Sequence, residues 1–485
     1  MTLPRLGIVS SYGEECGNAS YTHVLKMEFA KYYDVEIIAI NAELLSGLNR
    51  ESNLREVCAR IEACDFVNIQ FESGLYGDSP AQIAANVRAM INSAKRLVFT
   101  MHRVTPPAAP RSLFLLLMYN LLRRRDVANT LRTWRGNWLV LRLARSIANE
   151  LQRKHRADPQ SVTVMVHTQR ERKILTRKLV ATDFALNFVV DFPITFLNKG
   201  QIEENVGQRA QIRADFLHRH QLDDGYKYIG IFGFLSENKG HHIAIEALRF
   251  LPREYRLLIF GGQHPASIEP YDFPHMARHP LMYMRNKSPY IASLVELAQR
   301  LVTNDAGKAP NDPGQHRVQF LGVLDDQQFI RGITAMDFVV LPYLESGQGG
   351  SANASLTLEL QSRCVLSRNH AFTELGRYYP GCFALVDMAN PLQLAQTIYR
   401  WQEDLTPMQR DAISRYNIEN NVLLHQHAFN HGARSADAFK KKLTEARSAD
   451  TWTPDLTATK QVPPPSGVSR SPEVEAELVE RSLTD

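Results

Sequence analysis

The stretch IGIFGFLSENKG, residues 229–240, decides the fold of this chain. A short apolar run is followed by Gly233 and then by a polar segment that ends in Lys239 and Gly240. This order is typical of a buried parallel strand that enters a glycine turn and then a helix. A glycine turn lets the backbone approach a ligand closely, and helix amides with an ammonium group attract a phosphate. The spacing alone leaves open an ordinary turn with a solvated lysine.

Alternation of strand and helix patterns extends from this stretch in both directions. Two series of short apolar runs, one in each half of the chain, are separated by amphipathic segments, which predicts two doubly wound α/β sheets. Their carboxyl edges would face each other across one cleft, and this cleft is the predicted active site. The runs read as strands are RLGIVSSYG (5–13), DVEIIAIN (34–41), DFVNIQFE (65–72), KRLVFTMH (95–102), VTVMVHT (162–168), NFVVDF (187–192), YIGIF (228–232), RLLIFGG (256–262), HRVQFLGVL (316–324), DFVVLPY (337–343) and RCVLSR (363–368).

The composition agrees with a large two-lobed globular protein. The chain has 485 residues, of which 44% are hydrophobic and 22% charged, which excludes collagen, coiled coil and disorder for most of its length. Its formal net charge of +5 is too small for this size to indicate a nucleic-acid-binding protein. Its five cysteines form no close CxxC pair, so neither a disulfide framework nor a zinc site is indicated, and we expect no metal.

The same features predict a cytoplasmic location. A strand-like run begins at Leu6 and leaves no room for a secretory leader. The most apolar run, residues 113–122, is too short for the ~20 residues that a membrane-spanning helix needs.

We predict four regions along the chain. Residues 1–200 form a first Rossmann-like domain with a basic helical insertion at 105–160, and residues 201–400 form a second. Residues 401–446 form helices that pack on the body. Residues 447–485 are rich in proline, serine and threonine, and we expect them to be disordered.

The segment 107–156 carries most of the positive charge. Its eleven basic and two acidic residues give a local net charge of +9, interleaved with apolar clusters. Such a surface suits anionic lipid headgroups, where each basic residue contributes ~1 kcal/mol. Two alternatives stay open, namely a helical subdomain whose leucines pack on the first lobe, and a site for RNA or an acidic partner.

Four segments in the second half resemble, in order and spacing, the nucleotide-binding lobe of family 4 glycosyltransferases of the GT-B fold. They are residues 229–240, 256–262, 318–329 and 336–347. In that family a GRL-x-x-x-KG-like segment supplies two cations to a diphosphate. This chain keeps the glycine and Lys239, but Phe234 stands where the family has arginine. The resemblance implies a GT-B fold of two Rossmann-like domains, with the acceptor held by the first and the nucleotide sugar by the second.

The resemblance also implies donor-binding residues in the second lobe. The stretch ESGQGGSANASLTLELQS, residues 345–362, corresponds to the family's glutamate pair, but Gly349 and Thr357 occupy the two glutamate positions. Glu345 and Glu359 lie near these positions, out of register. The amides and hydroxyls ahead of the predicted helix would bind diphosphate, although a simple helix cap would use the same residues. The donor-binding residues predicted here are Lys239, Gly233, Gly322, Glu345, Gly350, Ser351, Asn353 and Glu359.

In the first lobe, three strand ends resemble family features. Gly17 and Asn18 follow the first strand, as does the family's glycine loop, with Gly17 assigned to the donor and Asn18 to the acceptor. Gln70 and Glu72 resemble an HIQHE-G-like strand end that would bind acceptor hydroxyls. His102 ends the next strand, where the family often has a histidine that touches the transferred sugar. We predict His102 and Lys239 as the catalytic residues.

The function that these residues imply is transfer of a sugar from a nucleoside diphosphate sugar to a glycan, a lipid-linked molecule or another acceptor. The family implies retention of anomeric configuration without a metal or other cofactor. A cytoplasmic enzyme of this kind could dock on the inner face of a membrane through residues 107–156. The alternatives are a nucleotide-sugar epimerase of similar fold and a non-catalytic homologue that binds nucleotide sugars or acts as a scaffold.

Overall fold

The computed structural model describes residues 3–13, 17–104, 118, 127–177, 185–262, 289–304, 317–345 and 349–445. Within these ranges, residues 127–135, 137, 289 and 302–304 are described by their backbone alone. The segment 447–485, for which the sequence predicts disorder, lies outside the described residues, and so does most of the chain between residues 105 and 126.

The first half of the chain forms a parallel sheet of six strands. They are β1 Arg5–Ser10, β2 Asp34–Ala39, β3 Phe66–Phe71, β4 Arg96–Met101, β5 Val162–Val166 and β6 Val189–Asp191. Their order in the sheet is β2-β1-β3-β4-β5-β6. Each strand falls within an apolar run that the sequence analysis assigns to a strand. Gln70 of β3 pairs in register with Thr100 of β4, so these strands end at the same edge.

The second half repeats this architecture. Its strands are β7 Lys227–Phe232, β8 Tyr255–Phe260, β9 Val318–Gly322, β10 Phe338–Leu341, β11 Cys364–Ser367 and β12 Ala384–Val386. The sheet order is β12-β11-β10-β7-β8-β9. The predicted α/β class with two doubly wound sheets is confirmed. Sequence analysis missed β12 because three residues carry too little apolar pattern to be recognised as a strand.

Helices cover the faces of both sheets, and several begin at a side chain that caps the first turn. Thr168 accepts a hydrogen bond from the Glu171 amide, and Asn198 accepts one from the Gln201 amide. The described α-helices are Gly17–Phe29, Arg50–Glu62, Pro80–Ser93, Val127–Ala157, Gln169–Thr176, Lys199–Gly207, Arg209–Arg219, His241–Ala247, Pro289–Asn304, Asp326–Ala335, Ala352–Glu359, His370–Leu375, Pro391–Tyr399, Thr406–Arg415 and Ile418–Glu445.

The last helix, Ile418–Glu445, returns from the second half to the first sheet. It packs against β4, β5 and β6 and against the helix Gly17–Phe29. Gly432 interrupts it with φ 75°, a conformation that favours glycine. The first sheet is therefore covered by residues from both ends of the chain. The predicted domain bounds themselves stay a prediction.

In the described part of the chain, no helix combines the length and the apolar character that crossing a membrane requires.

Candidate functional site

The carboxyl ends of the two sheets border one cleft. A small cavity that opens to solvent lies there, lined by His167 and Ile194 from the first half and by Gly350, Ser351 and Ser355 from the second. A second small cavity adjoins it along the same edge. Because loops at the carboxyl ends of parallel strands carry the ligand sites of α/β proteins, this cleft is the candidate functional site.

Glycine turns form the wall of the cleft that follows β7 and β8. Gly233 has φ 119° and Gly261 has φ 147°, values that other residues rarely adopt. A Cβ atom on Gly261 would lie 1.9 Å from the Gly233 carbonyl oxygen, and one on Gly240 would lie 2.0 Å from the Pro342 carbonyl oxygen. Only glycine fits these positions, and the backbone of the predicted phosphate turn is therefore tightly determined.

Asn353 and Lys239 are held beside this turn. Asn353 Nδ2 donates to the Phe232 carbonyl oxygen at 2.7 Å and to Tyr343 Oη at 3.1 Å. The Lys239 ammonium lies 3.9 Å from the centroid of the Tyr343 ring. Tyr343 therefore contacts both Lys239, the predicted phosphate-binding lysine, and Asn353 at the start of the helix Ala352–Glu359. The Asn353 side chain therefore stabilises the turn, because its amide nitrogen donates both of its hydrogen bonds to protein groups.

The loop at Gly349 and Gly350 contacts the first half with no space for a side chain. A Cβ atom on Gly349 would lie 2.1 Å from Glu171 Oε1 and 2.9 Å from the His102 carbonyl oxygen, and one on Gly350 would lie 2.8 Å from Ile194 Cδ1. The family's first glutamate, which Gly349 replaces, could not be accommodated in this arrangement. Ser351 follows as the N-cap of the helix Ala352–Glu359.

On the opposite wall, the side chains of His102 and Gln70 are in contact. His102 Nε2 is 2.7 Å from Gln70 Oε1, and His102 Nδ1 is 3.1 Å from Nε2 of a second histidine, His167. Tyr21 packs edge-on against both imidazoles, at 5.8 and 5.9 Å between ring centroids. Burial, reinforced by the neighbouring His167, holds the pKa of His102 well below its ordinary value. Burial lowers the pKa of His167 to about 4.

Glu171 is a further buried polar group of this wall. Its carboxylate accepts hydrogen bonds from the Val104 amide at 3.1 Å and from the Thr168 hydroxyl at 2.9 Å. Burial raises its pKa to about 7, although these hydrogen bonds oppose the change. Sequence analysis missed both His167 and Glu171. The available signal was that His167 directly follows β5, just as His102 follows β4, and that Glu171 lies in the first turn of the helix that comes next.

The remaining predicted site residues of this group are Gly17, Asn18, Glu72, Glu345 and Gly322. Asn18 donates to the exposed Glu72 carboxylate, so these two form a pair at the strand end, with Gly17 exposed beside it. Glu345 accepts a hydrogen bond from the His370 amide at 2.9 Å. Gly322 has φ 78°, and its carbonyl oxygen accepts from the Gly261 amide at 2.8 Å.

Glu359 is fully buried and does not line either cavity. Its two oxygens accept hydrogen bonds from the backbone amides of Phe196, at 3.0 and 3.2 Å, and Leu197, at 3.1 Å. Burial raises its pKa to about 8, and these two amides oppose the rise. Glu359 therefore joins the second lobe to the segment that follows β6. The described residues contain no cluster of three or more side chains able to hold a metal ion.

No protein-family model matches the sequence, and no curated protein matches it either. Solved structures share its fold at low sequence identity. HepE from Anabaena in complex with UDP has a TM-score of 0.51 at 14% identity, with 87% of this chain and 99% of HepE covered. A glycosyltransferase from Rickettsia africae has a TM-score of 0.52 at 13% identity, with 92% of this chain and 99% of that one covered.

A third similar structure is a UDP-forming α,α-trehalose-phosphate synthase from Burkholderia xenovorans in complex with glucose-6-phosphate. Its TM-score is 0.52 at 11% identity, with 91% of this chain and 100% of the synthase covered. All three matches extend over nearly the full length of the other protein, so they include both sheets. The architecture of this chain is accordingly the two-sheet GT-B fold of glycosyltransferases.

Proposed function

We propose that this chain is a glycosyltransferase that moves a sugar from a nucleoside diphosphate sugar to an acceptor held by the first lobe. The observation that carries the proposal is the cavity between the sheets. One wall holds the Gly349–Ser351 loop and the start of the helix Ala352–Glu359, and the other holds His167 beside His102. An anionic group and a polar sugar ring would each find matching chemistry there.

The diphosphate would bind on the second-lobe wall. The amides of the first turn of the helix Ala352–Glu359 have no partner within the helix, and the helix dipole favours an anion at that end. Lys239 adds a positive charge at the neighbouring glycine turn. These groups stabilise the negative charge that develops on the departing diphosphate, which is where electrostatic catalysis is most effective.

The transferred sugar would lie between the two walls, next to His102. His102 would contact the sugar with its ring while both ring nitrogens stay bonded to Gln70 and His167, and a nearby carbonyl dipole would stabilise the positive charge at the anomeric carbon. In a retaining, metal-free reaction of family 4 type, the bond from the anomeric carbon to the diphosphate oxygen breaks. The acceptor hydroxyl attacks from the same face, and its proton passes to the departing phosphate. Asn18 and Glu72, which pair at a strand end, would contact the acceptor, whereas the fully buried Gln70 would act through its contact with His102.

The similar structures support this proposal through their ligands. HepE binds UDP, and the trehalose-phosphate synthase is UDP-forming and binds glucose-6-phosphate. A uridine diphosphate sugar is therefore the first donor to test.

A panel of UDP, GDP and ADP sugars tests the function. Binding at 100-fold excess over Kd should stabilise the protein by about 2.7 kcal/mol, which is visible as a rise in Tm. Slow release of free nucleotide identifies a transferase, an isomerised sugar identifies an epimerase, and stabilisation without turnover identifies a binding protein. If none of these ligands raises the Tm, the proposal is wrong.

We further propose that the helix Val127–Ala157 docks on anionic lipid. On this helix, Trp138 is 47% exposed and Val140 is 50% exposed. The Arg142 guanidinium lies 5.4 Å from the Trp138 ring centroid, so a cation and an aromatic ring share one surface. An aromatic ring combined with basic side chains is the composition that settles at a headgroup interface. A lipid-linked acceptor would then be presented at the same surface.

A further inference from the structure

His102 and His167 form one hydrogen-bonded chain that ends in an oxygen atom on each side. His102 Nε2 lies 2.7 Å from Gln70 Oε1, the two rings meet at 3.1 Å, and His167 Nδ1 lies 3.3 Å from the Phe192 carbonyl oxygen. Amide oxygens accept hydrogen bonds and do not donate them. The hydrogens at both ends of the chain must therefore come from the imidazoles.

The orientation of the Gln70 amide is set by Asn68 beneath it. Asn68 Nδ2 donates to the Val98 carbonyl oxygen at 3.2 Å and to Thr100 Oγ1 at 3.1 Å. Reversing the Asn68 amide would place two carbonyl oxygens in contact, so Asn68 Oδ1 faces Gln70 and accepts from Gln70 Nε2. Gln70 Oε1 is then the atom that faces His102, and Gln70 cannot act as a donor to it.

A count of hydrogens follows from this arrangement. Three contacts need a hydrogen from a ring, namely those to Phe192, to Gln70 and between His102 and His167. Two neutral imidazoles carry only one hydrogen each. A neutral pair therefore leaves one contact without a hydrogen, whereas a pair with one additional proton satisfies all of them. The hydrogen-bond partners of the two rings therefore suit a pair that carries one positive charge.

Burial disfavours this additional proton. It lowers the pKa of both histidines, and a charge on His167 further disfavours a charge on His102. In the free protein, the pair is therefore neutral near pH 7 and one of its contacts is unsatisfied. An anion in the cavity changes this balance because an opposite charge favours the charged form of a buried group. His167 lines that cavity, opposite Gly350 and Ser351.

We propose that His102 and His167 together take up one proton from solvent when the diphosphate of a nucleotide sugar binds beside them. This inference rests on the proposed function and assigns to its site a second positive charge, besides Lys239. Such a charge would compensate for Phe234, which stands where the resemblance predicts an arginine. The proton returns to solvent when the nucleotide leaves. His167 lines the cavity, and its hydrogen bond to His102 lets the two rings share the added charge.

Groups on every element around the pair affect its proton affinity. Tyr21, from the helix Gly17–Phe29, presents its ring edge to both imidazoles. Glu171, from the helix Gln169–Thr176, accepts a hydrogen bond from the His167 amide, and its own pKa of about 7 makes it a competing site of proton uptake. His425, from the helix Ile418–Glu445, disfavours a charge on His167. Any test must separate Glu171 from the histidines.

Nitrogen-15 NMR of histidine-labelled full-length protein tests the proposal directly, because the ring-nitrogen shifts distinguish an imidazolium from either neutral tautomer. The probe is UDP-glucose at saturation, which carries no group that titrates near neutral pH. We expect neutral shifts for both rings in the free protein and a shared imidazolium in the complex. Neutral rings in the bound protein would overturn the inference and leave the proposed function intact.

Calorimetry in buffers of different ionisation enthalpy gives the number of protons taken up on UDP-glucose binding. We expect uptake that approaches one proton in the wild type. In the pH range where the free pair is neutral, the affinity for UDP-glucose should fall up to tenfold for each unit by which the pH rises. His167→Gln should lose this uptake, whereas Glu171→Gln should retain it. His23→Gln, which removes an exposed imidazole of the same lobe, is the matched control.

The outcomes distinguish proton uptake by the two histidines from proton uptake by Glu171. Uptake that disappears in Glu171→Gln but persists in His167→Gln assigns the proton to the carboxylate and rejects the inference. Gln70→Glu, combined with Asn68→Ala to remove the oxygen that would face the new carboxylate, adds a stronger acceptor at one end of the chain and should produce the imidazolium even in the free protein. This gain-of-charge test does not depend on His167→Gln folding. If no nucleotide sugar binds, the proposed function fails, and this inference with it.

Discussion

Tyr378 Oη donates a hydrogen bond to Asp191 Oδ2 at 2.5 Å, and this contact joins the two halves of the molecule. Asp191 ends β6 of the first sheet, whereas Tyr378 follows the helix His370–Leu375 of the second half. Lys440 of the last helix also contacts the Asp191 carboxylate, and Arg172 lies 3.1 Å from its other oxygen. A single buried carboxylate thus holds three parts of the chain beside the cleft.

Removing this charge should destabilise the protein. Asp191→Asn leaves Lys440, which is only 12% exposed, without its anion. Breaking a buried ion pair in this way costs about 3–5 kcal/mol of unfolding free energy. Urea denaturation measures the loss. The matched control is Asp437→Asn, which removes a 45% exposed partner of the same Arg172 and should cost about 1 kcal/mol or less. Equal losses in the two variants would contradict the role of Asp191.

The same carboxylate makes stability depend on pH. Burial opposes ionisation of Asp191, but Lys440, Tyr378 and Arg172 outweigh it and lower its pKa below the ordinary 3.8. A group with a depressed folded-state pKa contributes stability above its unfolded pKa and loses it as the pH falls through the folded value. The wild type should therefore lose unfolding free energy on acidification below about pH 4 more steeply than Asp191→Asn. Parallel profiles in denaturant titrations would reject this account.

Lys239 should be needed for transfer and not for folding. Loss of one group that stabilises developing charge costs about 10²–10³-fold in kcat, so Lys239→Ala should lower nucleotide release by that factor with little change in Tm. Lys227→Ala is the matched control. Lys227 also lies over a tyrosine, 5.0 Å from the Tyr255 centroid, but at the first residue of β7, away from the cleft. Full activity of Lys239→Ala would remove this lysine from the site.

Gly349 should tolerate no side chain. In Gly349→Ala the new Cβ would lie 2.1 Å from Glu171 Oε1, and overpacking of this kind costs about 1–3 kcal/mol. We expect weaker binding of the nucleotide sugar, measured by calorimetry, and partial recovery in the double variant with Glu171→Ala. Gly207→Ala is the control, because a Cβ there meets nothing within 4 Å. Wild-type affinity in Gly349→Ala would show that this contact does not form in solution.

The helix Val127–Ala157 should bring the protein to anionic vesicles in flotation experiments. Reversing Arg142 and Arg145 to glutamate should weaken binding by at least about 2 kcal/mol, or about thirtyfold, since each basic residue contributes ~1 kcal/mol. The control reverses two exposed arginines elsewhere, Arg249 and Arg400. High salt should release the wild type. Equal flotation of both double variants would reject docking through this helix and favour its role as a packed subdomain.

The sequence by itself determined the two sheets. Buried parallel strands are short apolar runs, and the glycines that end them are demanded by local backbone geometry, so Gly233 and Gly240 could be recognised without any knowledge of distant contacts. For the same reason, His102 and Gln70 could be placed at neighbouring strand ends. Lys239 could be placed at the turn because it lies between Gly233 and Gly240, after the strand.

Only the tertiary structure decided which of these side chains meet. His167 and Glu171 reach His102 because β5 pairs with β4, although more than sixty residues separate the two histidines along the chain. Glu359 is near the predicted donor site in sequence, yet it is turned inward to the amides of Phe196 and Leu197. Strand order and the apposition of the lobes set these contacts. Both depend on packing between distant segments, which no local pattern encodes.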